Sequence, residues 1–116
     1  MHRENELDLS GAPGSVKRLQ GRVAIVTGSS RGIGRAIARV LATEGAAVAV
    51  HYCRGEQQAA SLAAEIEHLG AKARLVQGDL ARPEDCHRVL TMAARDLGPV
   101  EILVNNAGLA SKASLQ

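Results

Sequence analysis

The chain has 116 residues, 46% of them hydrophobic and 22% charged, with a net charge of +2. That is one domain's worth of sequence, too apolar to be disordered and long enough for a modest core. With no Phe, no Trp and one Tyr, the core is made of Val, Leu, Ile and Ala; the dispersed cations and missing aromatics speak against a nucleic-acid surface.

Residues 1–20 read as a polar tail or linker, broken by Gly11, Pro13 and Gly14. Acids stand early in it and no apolar stretch follows, so it is not a secretory signal, and its acidity argues against a mitochondrial pre-sequence. Residues 21–116 read as one folded unit. Val23–Val26 is a short strand rich in β-branched residues. Gly32–Glu44 follows as a helix, with Ile33, Ile37, Val40 and Leu41 on one face and Gly45 placed as a C-terminal cap. Ala47–Val50 is a second strand. Glu56–Leu69 is a second helix, with Leu62, Ala63, Ile66 and Leu69 on one side and Gly70 after it. Ala73–Val76 is a third strand. Asp85–Leu97 is a third helix, with Pro83 near its start and Gly98 and Pro99 at its end. Val100–Val104 is a fourth strand.

These strands are nearly continuous apolar runs, which is how strands covered on both faces read. The alternation predicts an α/β fold: a doubly wound parallel sheet of about four strands and three helices. No apolar run approaches the ~20 residues of a membrane span. Cys53 and Cys86 belong to no CxxC pair and suit a reducing, cytoplasmic setting as free thiols. His2, His51, His68 and His87 show no metal-ligand spacing; each reads as a solvated or partly buried structural histidine, and no metal site is expected.

The informative stretch is VAIVTGSSRGIGRAIA, Val23–Ala38. Glycines at 28, 32 and 34 fall between a strand and a helix. At such a junction the first helical N–H groups lack intrahelical partners and, with the helix dipole, suit a pyrophosphate. Gly28 permits the tight turn, Gly32 lets phosphates approach and Gly34 lets the helix pack closely. Ile33 occupies the position where a P-loop would need glycine, so that motif is excluded.

TGSSRGIG, Thr27–Gly34, resembles the TGxxxGxG cofactor motif of the short-chain dehydrogenases/reductases. GDL, Gly78–Leu80, and NNAG, Asn105–Gly108, resemble two further segments of that family, in the right order. The likeness covers about Leu19 to Leu109, and the wording SRGIGRAIA is most similar to 3-oxoacyl-acyl-carrier-protein reductases. It implies a Rossmann-type fold holding a nicotinamide dinucleotide. Gly28, Ser29, Ser30 and Arg31 would then line the phosphates and adenosine ribose, with Gly32 and Gly34 opening the turn and Ile33 near the pyrophosphate. Asp79 would accept from the adenine amino group, with Leu80 alongside; read without the resemblance, it is a capping or loop acid. Asn106, Ala107 and Gly108 would border the adenosine ribose, and the two asparagines would tie the central strands together.

An acid at the end of the second strand ordinarily binds the ribose 2′-OH of NAD. The residues there are His51, Tyr52, Cys53 and Arg54, none acidic. Arg31 or Arg54 could pair with a 2′-phosphate, so NADP(H) is expected in preference to NAD.

The resemblance further implies hydride transfer between the nicotinamide and a carbonyl or alcohol carbon, using a serine, a tyrosine and a lysine four residues after it. Tyr52 is the one tyrosine, and Glu56 stands where that lysine would be. Lys112 and Ser114 follow NNAG too closely. The expectation is therefore a cofactor-binding half, truncated before the catalytic segment, with no catalytic residue and no turnover on its own. A carbonyl or alcohol substrate would require the catalytic half. Two other readings stand beside it: a non-catalytic nucleotide-binding or interaction module that pairs with a full-length relative through an exposed fourth strand, and a truncated product that does not fold stably alone.

Overall fold

A computed structural model of the chain describes residues 17–106. The elements run β1 (Val23–Val26), α1 (Gly32–Thr43), β2 (Ala47–Tyr52), α2 (Glu56–His68), β3 (Ala73–Gln77), α3 (Pro83–Leu97) and β4 (Ile102–Val104). The four strands are parallel in the order β3-β2-β1-β4. This is the Rossmann-type doubly wound sheet expected from the apolar runs.

Alternation along the strands divides the core between two faces. Ala24, Val26, Val48 and Val50 pack against α1 and α2 through Ala38, Ala42, Ala59, Leu62 and Ile66. Ile25, Ala49 and Val76 pack against Val89 and Ala93 of α3. Burying side chains the size of Leu62 or Ile66 contributes about 1.5–3 kcal/mol each.

The α1 face differs from expectation. The fully buried residues are Gly34, Ala38 and Ala42; of the expected stripe, Ile37 and Leu41 are part-buried against the core, while Ile33 is 71% and Val40 56% exposed. Both sets repeat with helical spacing, and the small one lets the helix axis lie close to the sheet. Leu69 is also exposed, because α2 has reached its C-cap there. The helix α3 begins at Pro83 rather than Asp85; proline fits its first turn and the acids Glu84 and Asp85 suit the N-terminal dipole. The strand β2 continues to Tyr52, which registers with Gln77. The strand β4 is shorter than expected and forms one edge of the sheet among the described residues, with Leu103 60% exposed.

Lys17–Gln20, within the expected tail, make a turn docked on the end of α1. Leu19 N–H donates to the Glu44 carbonyl at 2.7 Å, and Leu19 packs against the core. The remainder of that expected tail, residues 1–16, lies outside the described residues.

Candidate functional site

The carboxyl ends of β1 and β2 deliver two turns side by side. The chain leaves β1 through Thr27, whose N–H donates to the Val104 carbonyl at 3.0 Å and whose hydroxyl donates to the same oxygen at 3.3 Å. The turn that follows uses left-handed backbone at Gly28 (φ +62°) and Gly32 (φ +66°), a region costly to residues with a Cβ. A Cβ built on Gly32 meets nothing within 4 Å, so this part of the turn faces open space. Helix α1 then starts with extended Arg31 at its N-cap and no side-chain capping hydrogen bond. Its leading N–H groups therefore face the same opening.

Gly34 is enclosed instead. A Cβ there would stand 2.5 Å from the Gly28 carbonyl oxygen and 2.6 Å from the Asn106 amide nitrogen. Close packing of this helix start against the turn thus depends on a hydrogen atom at that position.

Three side chains fix the turn from below. His51, at the end of β2, is 1% exposed. Its Nδ1 accepts from Gly28 N–H at 2.9 Å, and its Nε2 lies 2.9 Å from the Gly78 carbonyl. Nδ1 must then be unprotonated and Nε2 must carry the proton. Burial lowers the ring's pKa below its usual value, against a raising influence from the Gly78 hydrogen bond. The His51 carbonyl accepts from both Ser29 N–H at 2.9 Å and Ser29 Oγ at 3.1 Å. Asn106 Nδ2 donates to the Gly28 carbonyl at 3.1 Å.

Arg35 braces the turn from the side. Its guanidinium donates to the Ser30 carbonyl at 3.1 Å and to the Gln58 carbonyl at 2.9 Å, and also reaches Ser61 Oγ and Glu65 Oε1 at 3.3 and 2.8 Å. The start of α1 is thereby bound to α2.

The expected site residues sort into distinct places. Gly28, Ser29, Ser30, Arg31, Gly32, Ile33 and Gly34 form the β1–α1 turn and helix start, with Ser29 and Ser30 buried and Arg31, Gly32 and Ile33 exposed. The Ser29 hydroxyl points inward to His51. Cys53 and Arg54 are exposed beyond β2, ahead of Gly55 at the N-cap of α2. Asp79 and Leu80 follow β3. Asp79 is exposed; its Oδ1 accepts from Ala81 N–H at 3.0 Å and its N–H donates to Asp85 Oδ2 at 2.8 Å, the geometry of a loop acid. Leu80 is half-buried against the α3 side of the core. Asn106 sits under Gly28, and the Asn105 side chain lies 3.4 Å from the Thr27 hydroxyl, so both asparagines join β4 to β1. Ala107 and Gly108 lie outside the described residues.

In the sequence His51 reads only as a solvated or partly buried structural histidine, one of four non-acidic residues at the end of the second strand; the structure buries it fully, turned beneath the glycine turn. The one available signal was a polar residue at the end of the AVAV strand, on the same face as Ala49. Arg35 gave no signal, since one arginine in a helix ordinarily reads as a solvated position.

Comparisons with known proteins agree with this geometry. The family model described as short chain dehydrogenase matches residues 22–116. An L-rhamnose 1-dehydrogenase (NAD(P)(+)) from Sphingomonas sp. (strain SKA58) is 43% identical over 94 residues, covering 81% of this chain and 37% of that protein. A short chain dehydrogenase from Burkholderia cenocepacia J2315, solved in complex with NADP, is 45% identical with a TM-score of 0.74 over 76% of this chain and 36% of its own. A 7α-hydroxysteroid dehydrogenase solved with NADH and 7-oxo glycochenodeoxycholic acid is 37% identical with a TM-score of 0.72, over 77% of this chain and 34% of its own. The chain thus spans little more than a third of the length of these relatives. Its open glycine turn, its parallel strand order and these matches agree, and the chain belongs to the short-chain dehydrogenase family.

Proposed function

We propose that this chain is the cofactor-binding half of an oxidoreductase that exchanges a hydride between a nicotinamide dinucleotide and a carbonyl or alcohol carbon. The observation that carries the reading is the β1–α1 turn: left-handed backbone at Gly28 and Gly32, with Gly32 open to space, in front of a helix start that no side chain caps. Backbone N–H groups there suit a pyrophosphate, and Asp79 is exposed where an adenine amino group could donate to it. Gly28, Ser29, Ser30, Arg31, Gly32, Ile33, Gly34, Asp79, Leu80 and Asn106 are the proposed contacts, with Ala107 and Gly108 continuing the Asn106 segment.

The preferred cofactor is NADP(H). No acid stands at the end of β2, and Arg31 and Arg54 are exposed on the two turns that meet there, with Cys53 beside them. A carboxylate would repel a 2′-phosphate, whereas a guanidinium can donate to it in a fork. Direct titration of the chain with NADPH and NADH tests this. NADPH should bind more tightly, and a lower dissociation constant for NADH would overturn the preference.

The proposed chemistry most resembles reduction of a 3-oxoacyl group, on the strength of the SRGIGRAIA wording. In residues 1–116 the one tyrosine, Tyr52, lacks a lysine four positions on. Burial, and then the neighbouring Glu56 carboxylate, raise its pKa, the opposite of what a proton-transferring tyrosine needs. This stretch supplies binding, then, and the proton donor comes from elsewhere. NADPH oxidation by residues 1–116 alone with a 3-oxoacyl substrate, above background, would overturn that division. Free Cys53 and Cys86 suit a reducing, cytoplasmic setting.

One observation favours a second reading, an interaction module that pairs with a full-length relative. Leu90 and Leu103 are exposed beside the β4 edge, over a groove lined by Leu80, Cys86 and Val89. A stable hetero-oligomer with such a relative, binding dinucleotide without turnover, would support it.

A further inference from the structure

The imidazole of His51 lies where three sheet-end turns meet. It accepts from the β1–α1 turn at Gly28 and reaches the β3–α3 turn at Gly78, each at 2.9 Å, while its own carbonyl holds Ser29. It is a strut made of one aromatic ring, and both its ends bear on backbone. Of the atoms in the dinucleotide turn, Gly28 N–H is the one whose partner can change its protonation state.

We propose that His51 is a positioning residue for the dinucleotide turn, holding Gly28 in place only while its ring is neutral, so that cofactor affinity depends on pH through this side chain. The inference rests on the dinucleotide reading of that turn. A neutral ring with its proton on Nε2 satisfies both contacts. Adding a proton to Nδ1 sets two N–H donors against each other at Gly28, beneath which the ring is 1% exposed. The turn must then shift, and the N–H groups at the start of α1 shift with it.

The charged groups around the ring do not offset that loss. On the β3–α3 side stand Asp79, Asp85 and Arg88. Asp85 receives Asp79 N–H at 2.8 Å and lies 3.5 Å from Arg88, and Asp79 is turned to Ala81 N–H. Arg88 also donates to the Gln77 carbonyl at 2.9 Å. On the turn above, the nearest charged side chain in sequence is Arg31, exposed to solvent and cationic, which disfavours a second cation. On β2 itself the neighbours are Tyr52, Cys53 and Arg54. Among the described residues no carboxylate makes a hydrogen bond to the ring; its partners are Gly28 and Gly78. Its burial works in the same direction, favouring the neutral form.

The test compares the wild-type chain with His51→Asn and His51→Leu. Asparagine Oδ1 can take the place of Nδ1 as acceptor for Gly28 N–H but does not titrate; leucine removes both contacts. Dissociation constants for NADP+ are measured from about pH 8 down to about pH 4.5, below the ordinary histidine range because burial lowers this ring's pKa. The 2′-phosphate of NADP+ itself titrates near ~6, as phosphate monoesters do, so the informative quantity is the difference between the wild-type and asparagine curves. His51→Asn should bind within about threefold of wild type at the upper pH, while wild type should weaken progressively more than the variant as pH falls below the ordinary histidine range, by severalfold at the lower limit, because burial holds the ring neutral to lower pH. His51→Leu should bind about tenfold more weakly throughout; a thermal melt establishes that it is folded, and if it is not, the asparagine variant alone decides. Imidazole nitrogen shifts of the unliganded wild-type chain should show the Nε2–H tautomer at about pH 8. Superimposable wild-type and asparagine curves, or an Nδ1–H tautomer, would overturn the proposal with the dinucleotide reading intact. Failure of wild type to bind any dinucleotide at about pH 8, with the tautomer as drawn, would overturn the dinucleotide reading instead, and the affinity claim with it.

Discussion

Asn106, arriving from β4, places its Nδ2 3.1 Å from the Gly28 carbonyl, and the two atoms meet in the space that a side chain at Gly34 would fill. One glycine thus serves two distant segments. The first helical turn can approach the β1 turn, and β4 can be tied to that turn from the other side. A glycine whose missing Cβ lies against backbone and a held amide differs from one that faces open space, and substitution separates the two.

Gly34→Ala should destabilise the chain by about 1–3 kcal/mol, because the Gly28 carbonyl and the Asn106 amide would have to move. The better helix propensity of alanine, worth up to ~1 kcal/mol, offsets only part of this. Gly32→Ala meets no atom but must hold a left-handed φ, at about 1–2 kcal/mol. Urea unfolding should therefore rank wild type above Gly32→Ala and Gly32→Ala at or above Gly34→Ala. NADPH titration should show both variants weakened. An alanine at 34 with wild-type stability would mean that the turn is less closely packed than described.

Arg35 holds Ser30 to Gln58, Ser61 and Glu65 with its side chain 23% exposed; the Ser30 and Glu65 contacts are part-buried and those to Gln58 and Ser61 are exposed. Arg35→Ala should cost about 1–2 kcal/mol, since it removes the tie between α1 and α2 and takes a donor from the part-buried Ser30 carbonyl. Glu65→Gln keeps an acceptor for the guanidinium and removes only the charge of a half-exposed pair, so it should cost less than about 1 kcal/mol. If the brace steadies the turn, NADPH affinity should fall in Arg35→Ala and hold in Glu65→Gln. Equal affinities in all three proteins would confine Arg35 to a role in stability.

Much of this was legible in the residues. VAIV and AVAV are apolar throughout because both faces of the sheet are covered there, so strand type and parallel pairing followed from the apolar runs, whereas the equally apolar ILV leaves Leu103 exposed at the edge. The glycine turn was legible because φ > 0 and close approach each demand one residue type. The buried face of α1 was not legible, since Ile33–Ile37–Val40–Leu41 and Gly34–Ala38–Ala42 are both helical stripes and periodicity cannot rank them. The close approach permitted by the small stripe decides it, leaving Ile33 and Val40 outside. His51 and Arg35 were illegible for another reason. Their roles arise from backbone carbonyls and N–H groups brought together by the fold, which leave no trace in local sequence.

The proposed cofactor preference rests on charge and can be read through it. Arg31→Ala should weaken NADPH about tenfold while leaving NADH nearly unchanged, as loss of one charge-assisted contact would. Arg54→Ala should act in the same direction, and the double variant should bring the two affinities close together. Raising ionic strength should erode NADPH binding more than NADH binding, because the extra phosphate charge is screened. An unchanged NADPH-to-NADH ratio in the double variant would show that neither guanidinium meets the 2′-phosphate.

The buried ring also makes a prediction for the unliganded chain. His51 titrates at about its ordinary 6.5 when unfolded and lower when folded, chiefly because burial disfavours the charged form. The folded state therefore binds fewer protons than the unfolded state between those two values. Its contribution to stability is fully present above the unfolded value and is lost as pH falls below 6.5 toward the lowered folded value. One proton taken up on unfolding corresponds to at most about 1.4 kcal/mol per pH unit across that interval. Urea midpoints should thus decline as pH is lowered from neutral, and more steeply in wild type than in His51→Asn, which carries every other titrating group unchanged. Parallel declines in the two proteins would assign the pH dependence to other residues and leave the ring's protonation without influence on the fold.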